Sequence, residues 1–240
     1  MGARGEIEGK DGPRTLIGLC SRTSLLCLAL AISNLGWAQV VCIDPGHPSE
    51  IGRGTSGKHL TEIHANWMEA LLLKKRLEQQ GIKVILTKKS ESEFVRNRAR
   101  AETANAAHAD LMIRLHCDSA SGTGFTTYYP AHVGTDRGMR GPSAEVIRAS
   151  RKKSETFHAA LAEALKGKLR DNGLKGDQAT KVGARHGALI GSIYSKVPIV
   201  LVEMVVLTSP KDEAFLTGRP GREAMADALA AGVMAVLRSK

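Results

Sequence analysis

A single α/β domain built on a mostly parallel sheet is the fold class that the sequence predicts, and three observations predict it. Apolar, β-branched segments at 40–43, 83–87, 111–116 and 198–203 have the length and composition of buried strands. Long amphipathic stretches at 60–80 and 93–108 separate the first three of them, so strand, helix and strand alternate and right-handed crossovers follow. The chain has 240 residues and shows no repeat, low-complexity tract or linker, which suits one domain of ordinary size.

The first strand runs through Val40, Val41, Cys42 and Ile43 and is stopped by Asp44-Pro45-Gly46, which delivers His47 from the strand end into a turn. After a Gly-rich loop at 51–58, Ile63, Trp67, Ala70, Leu71, Leu73 and Leu77 recur at helical spacing until Gly81 ends the helix. A second strand at 83–87, a helix rich in Ala and Arg at 93–108 and a third strand at 111–116 follow. Alternation at 124–129 predicts a fourth strand, and 131–142 reads as a polar loop. Phe157, Leu161, Ala164, Leu165 and Leu169 mark the inner face of a helix ending near 169. A polar connection is expected over 171–181, a weak strand over 188–193, a strong one over 198–203 and a final helix over 221–237.

Residues 1–38 stand apart as an expected secretory signal with an N-terminal extension. The apolar run 24–32 is short for a bilayer span, Arg14 and Arg22 precede it, and Gly36 and Ala38 offer small residues for cleavage before Gln39. The alternative is an uncleaved anchor. Export to the periplasm, envelope or medium is the expectation, with no membrane contact beyond this segment and no pattern that names a protein activator. Removing the four Lys/Arg and three Asp/Glu of residues 1–38 leaves 30 basic against 21 acidic residues, a balance that favours an anionic polymer as partner. Nucleic acid is not expected, because the basic residues are scattered over helices with little aromatic interleaving. Of the two cysteines in the mature chain, Cys42 and Cys117 each fall in a core strand without a disulfide or zinc-knuckle spacing, so buried free thiols are expected and a bridge is the alternative.

The chemistry-bearing residues are His47, His116, Glu62 and Glu203. Both histidines close predicted parallel strands, whose carboxyl ends share one edge, so the rings can converge across 69 residues of sequence. Glu62, in the first turn of the following helix, supplies an oxygen. Two histidines and a carboxylate with a fourth position left to water form a catalytic zinc arrangement, and Glu203, at the end of the last strong strand, is placed to act on that water. Singly, each has a duller reading: a helix N-terminus favours any carboxylate, and a histidine can be satisfied in a core. A carboxylate at the end of the apolar run 198–202 is harder to dismiss. His64 is the near competitor as a ligand.

With these residues in view, the chain resembles the zinc-dependent N-acetylmuramoyl-L-alanine amidases of bacterial cell walls. The similarity runs from Ile43-Asp44-Pro45-Gly46-His47 through Leu60-Thr61-Glu62, 81–87, Arg100, Ala104-Asn105 and Leu115-His116 to Val202-Glu203 and 207–210. It implies a mixed sheet of about six strands flanked by helices over 39–240, with Zn2+ held by His47, Glu62 and His116 and with Glu203 catalytic. It also implies hydrolysis of the amide joining muramic acid to L-alanine of peptidoglycan. Arg100, Asn105 and Asp118 are candidates for supporting or orienting roles. Pro48-Ser49 replaces the usual glycine pair, Arg114 and Asp118 flank His116 unusually, and 204–206 departs from the common pattern. A non-catalytic wall-binding module and another zinc peptidase remain the alternative readings.

Overall fold

The computed structural model describes residues 39–239, and the expected signal segment at 1–38 lies outside them. In chain order the elements are β1 (Val40–Pro45), α1 (Glu62–Gln79), β2 (Lys83–Leu86), α2 (Asn97–Ala106), β3 (Leu111–Asp118) and β4 (Phe125–Tyr129). A short hairpin, β5 (Gly134–Asp136) and β6 (Met139–Gly141), leads to α3 (Ala144–Leu165) and β7 (Asp171–Gly176). Two short helices follow, α4 (Lys181–His186) and α5 (Ile190–Ile193), and then β8 (Ile199–Val206), α6 (Pro210–Thr217) and α7 (Arg219–Arg238).

Six strands form one sheet in the order β2-β1-β3-β8-β4-β7. The first four are parallel to their neighbours, β4 runs antiparallel to β8, and β7 pairs parallel with β4. The sheet is therefore mixed and mostly parallel, with helices on both faces. Strand alternation divides the core: Val41 and Ile43 pack with Leu73 and Leu77 of α1, Phe157 and Leu161 of α3 and Leu229 and Val233 of α7. Cys42, Met112 and Ile199 turn to the other face, against Ala104 of α2. Among the described residues, Cys42 and Cys117 are free and buried, as the first of the two readings has it.

Four expectations are corrected. The helix expected over 93–108 starts only at Asn97, because residues 93–96 are irregular and are tied to the His47 turn, where the Val95 amide donates to the Pro48 carbonyl at 3.3 Å. The loop expected over 131–142 contains the β5–β6 hairpin, whose turn residues Arg137 and Gly138 both have positive φ (47° and 82°). The polar connection over 171–181 is the edge strand β7, a 3-10 turn and the start of α4. Its partner β4, rather than any apolar pattern, makes the segment Asp171–Gly176 a strand. The weak strand over 188–193 is the one-turn helix α5, a segment so uniformly buried that periodicity could not separate the two states. One helix, α6, was not anticipated; Pro210 begins it, in the position where a missing N–H costs nothing.

Candidate metal centre

β1 carries the first histidine to the carboxyl edge. The Gly46 amide still bonds the Leu115 carbonyl of β3 at 2.9 Å, and His47 then adopts a left-handed φ of 56°, which a histidine holds only under constraint. The constraint is a set of cations that grip the turn's carbonyls. Lys88 Nζ donates to His47 O at 2.6 Å, and Arg100 donates to Pro45 O at 2.7 Å and to Pro48 O at 2.9 Å. Arg100 is fully buried and also bonds Asp44 Oδ1 at 2.6 Å, while Arg114 of β3 bonds Asp44 Oδ2 at 2.7 Å. Burial pushes the Asp44 carboxyl upward, but the two guanidiniums outweigh it and hold the group well below the usual carboxylate range. Beneath the first candidate ligand lies a closed, paired ionic cluster.

α1 supplies the carboxylate. Thr61 caps the helix by accepting from the His64 amide at 3.3 Å, which sets Glu62 in the first turn. The Thr55 amide donates to Glu62 Oε2 at 2.8 Å and the Cys117 amide to Oε1 at 3.2 Å. Burial opposes ionisation of Glu62, yet the neighbouring imidazoles and the Thr55 amide lower its pKa. Burial in turn lowers the pKa of His116, so a neutral imidazole meets an ionised carboxylate at neutral pH.

The three side chains converge. His47 Nε2 lies 3.4 Å and His116 Nδ1 3.0 Å from Glu62 Oε1, and one ligand atom from each residue falls within 4.8 Å of the others. The two rings meet edge to face at 5.1 Å. His47 Nδ1 bonds the Gly52 carbonyl at 3.0 Å, which orients the ring and turns Nε2 toward Glu62. His116 Nε2 is buried with no hydrogen-bond partner among the described residues. Two imidazole nitrogens and one carboxylate oxygen form a donor set that suits zinc, so the residues present fit that metal. Gly46 is needed for the convergence, since a Cβ there would sit 2.3 Å from His116 Cε1.

Glu203 lies in register with His116 on the adjacent strand. The strand does not end there, as the sequence suggested, but continues to Val206, and β8 uses three residues from 203 to 206 where β3 uses two from 116 to 118. Such an irregularity re-aims side chains beside a site. Glu203 is half-buried with Oε2 occluded and unpartnered, and its pKa is raised well above the usual range by burial and by the charges of Glu62 and Asp118. Asp118 thus bears on the site through charge, while its Oδ1 accepts from the Ser119 amide at 2.7 Å. Asn105 is not brought to the cluster. Its amide clasps the chain at 194–196, donating to Tyr194 O at 2.9 Å and accepting from Lys196 N at 2.7 Å. His64 pairs with Glu91 on the surface at 3.0 Å and is no ligand of the cluster.

Residue reasoning passed over Asp44, Lys88 and Asn97, which together with Arg114 form the support beneath His47. Arg114 carried a legible signal, a charged residue in the middle of an apolar strand, which has to be paired. The Asn97 side chain offered none; its Oδ1 accepts from Arg114 Nη2 at 2.5 Å only because α2 packs there.

Fold and site together define an α/β domain whose parallel-strand edge holds a His-Glu-His cluster fit for a divalent metal, with a second acid alongside. Residues 41–235 match the family model described as N-acetylmuramoyl-L-alanine amidase (Amidase_3), and the chain belongs to that family. A sporulation-specific N-acetylmuramoyl-L-alanine amidase of Bacillus subtilis (strain 168) is 31% identical over 144 residues, 55% of this chain and 55% of that protein. An N-acetylmuramoyl-L-alanine amidase of Mycobacterium tuberculosis is 27% identical over 224 residues, 84% of this chain and 87% of that one. The chain spans about half or less of the two Bacillus subtilis amidases that it matches, 55% and 36% of their lengths. Among solved structures, an N-acetylmuramoyl-L-alanine amidase of Clostridium difficile 630 shares the fold with a TM-score of 0.68 at 23% identity, covering 85% of this chain and 98% of that one.

Proposed function

We propose that this protein is an exported, zinc-dependent amidase whose catalytic domain, 39–240, hydrolyses the bond between N-acetylmuramic acid and L-alanine in peptidoglycan. The observation that carries this reading is the convergence of His47, Glu62 and His116, with Glu203 one strand away, in a chain of the amidase family. The basic surface suits an anionic wall polymer, and no helix among the described residues is long and apolar enough to cross a membrane.

His47, Glu62 and His116 would hold the metal. Zinc bound there supplies Lewis acidity to the scissile carbonyl and to an attacking water. Glu203 takes a proton from that water as the new C–O bond forms and returns it to the nitrogen as the C–N bond breaks, so L-alanine departs as an amine. Burial and the neighbouring carboxylates raise the pKa of Glu203, which strengthens it as a base toward the water and lets it hold the proton until the nitrogen takes it. The Asp44, Arg100 and Arg114 cluster fixes the turn so that His47 does not have to be ordered during turnover.

Incubation of the purified protein with peptidoglycan, with and without a chelator, tests the reading by mass analysis. Stem peptide with a free L-alanine amine should appear beside intact glycan, vanish with the chelator and return with zinc. Release of a single residue from a free peptide end would mean a carboxypeptidase, and binding without product a non-catalytic module. Glu203→Gln is expected to keep stoichiometric zinc while turnover falls about 10²–10⁴-fold. His47→Ala and His116→Ala should lose both metal and turnover.

A further inference from the structure

Outside the metal cluster, a cleft of about 620 Å³ lies between the turn after His47, the tip of the β5–β6 hairpin and the end of α4. Its first wall, Glu50 and Ile51, is the tip of a tight turn closed by mutual Ser49–Gly52 amide–carbonyl bonds at 3.0 Å. The Gly52 carbonyl of that turn is the group bonded by His47 Nδ1. The cleft therefore shares one structural wall with the metal centre.

The charges in the cleft do not balance. Glu50 is committed to the Asn97 amide, at 3.0 and 3.1 Å, and Asp136 accepts from the Tyr194 hydroxyl at 3.0 Å and faces His186 at 3.9 Å. Arg98 pairs with Glu102 at 2.7 Å and stacks over the Tyr194 ring at 5.3 Å. Arg96, Arg137 and Arg185, from three separate segments, have no ion-pair or hydrogen-bond partner in side chains of the described residues. Arg137 also holds a left-handed φ of 47° in a hairpin turn where Asn, Asp or Gly is the ordinary choice. Exposed Ile51 and Met139, at 47% and 48%, add apolar contact between the cations.

Resting on the amidase reading, we propose that this cleft binds the carboxylates of the stem peptide beyond the scissile amide, with Arg96, Arg137 and Arg185 as specificity-determining residues. The link between cleft and metal centre is the Ser49–Gly52 turn, whose Gly52 carbonyl bonds His47 while Glu50 and Ile51 line the cleft, so a stem peptide that leaves the metal centre along this turn meets the three arginines. Guanidinium forks match planar carboxylates, and the mixture of cations with Ile51 and Met139 suits a short anionic peptide better than a bare polyphosphate.

The test compares a muramoyl tetrapeptide bearing free stem carboxylates with the same compound amidated at those groups. The intact protein should show a KM about tenfold lower for the carboxylate form, and the combined Arg96→Ala, Arg137→Ala, Arg185→Ala variant should merge the two values. Calorimetry with the released tetrapeptide supplies a readout that does not depend on turnover: binding by the parent protein and its loss in the triple variant support the cleft. Turnover of both substrates with equal KM overturns the proposal, as does Arg-dependent binding of poly(glycerol phosphate) by a protein that ignores the peptide. Failure to turn over either substrate, with peptide binding intact, would sink the amidase reading and leave the cleft standing.

Discussion

At the residue scale, the centre depends on small and buried groups as much as on the ligands. Gly46 gives His116 room that no other residue can, because even a methyl group would overlap the ring. Gly46→Ala is expected to fold, displace His116 and weaken zinc binding about 10–100-fold, a loss of the size seen when support around metal ligands is removed. Metal-binding titration followed by calorimetry checks this, and unchanged affinity would show that the ring has slack. Asp44 illustrates the opposite economy. Removing Asp44 strips two buried guanidiniums of their shared counter-charge at a cost of about 3–5 kcal/mol, so Arg100 and Arg114 depend on this one carboxylate.

At the element scale, the contact between α1 and α7 contains a carboxyl that the mechanism does not use. Glu69 of α1 is 1% exposed and neither of its oxygens has a hydrogen-bond partner among the described residues. Arg76, which would have been its natural mate, is drawn to Glu223 and to Asp227 of α7, the latter at 2.6 Å. Burial raises the Glu69 pKa to about 8 despite the partial relief of Arg76 and Arg222. The folded state thus holds a proton that the unfolded chain releases near 4.5, so this stability contribution is full below that pH and is lost as pH rises through about 8. Glu69→Gln should flatten the fall of Tm between pH 5 and about 9, measured by thermal unfolding, and an unchanged slope would refute the assignment.

At the scale of the whole molecule, the sheet is covered by helices that meet closely. Gly232 of α7 lies under the Phe157 ring of α3, where an added Cβ would come within 2.7 Å of two ring carbons. Phe157 is fully buried and belongs to the core that joins β1, β3 and β8 to four helices, so the ring has little freedom to retreat. Gly232→Ala gains helix propensity and loses packing. The packing loss should win by about 1–3 kcal/mol, lowering Tm by several degrees with zinc stoichiometry intact. Thermal melts with metal analysis decide it, and a raised Tm would mean that α7 can shift on the sheet.

The order β1-α1-β2-α2-β3, the strong strand before Glu203 and the three candidate ligands were legible from the sequence, because strand length, helical period and turn residues are local signals that survive without context. The parallel arrangement followed from that alternation, and with it the meeting of His47 and His116 on one edge. Tertiary structure alone decided what depends on partners distant in the chain. β7 became a strand because β4 offered it an edge, α5 coiled where a uniformly buried run allowed either state, and the irregular stretch before α2 was captured by the His47 turn. Pairing of Asp44 with Arg100 and Arg114, and the three unpaired arginines facing one cleft, arise in the same way: charge complementarity across space leaves no periodic trace along a sequence.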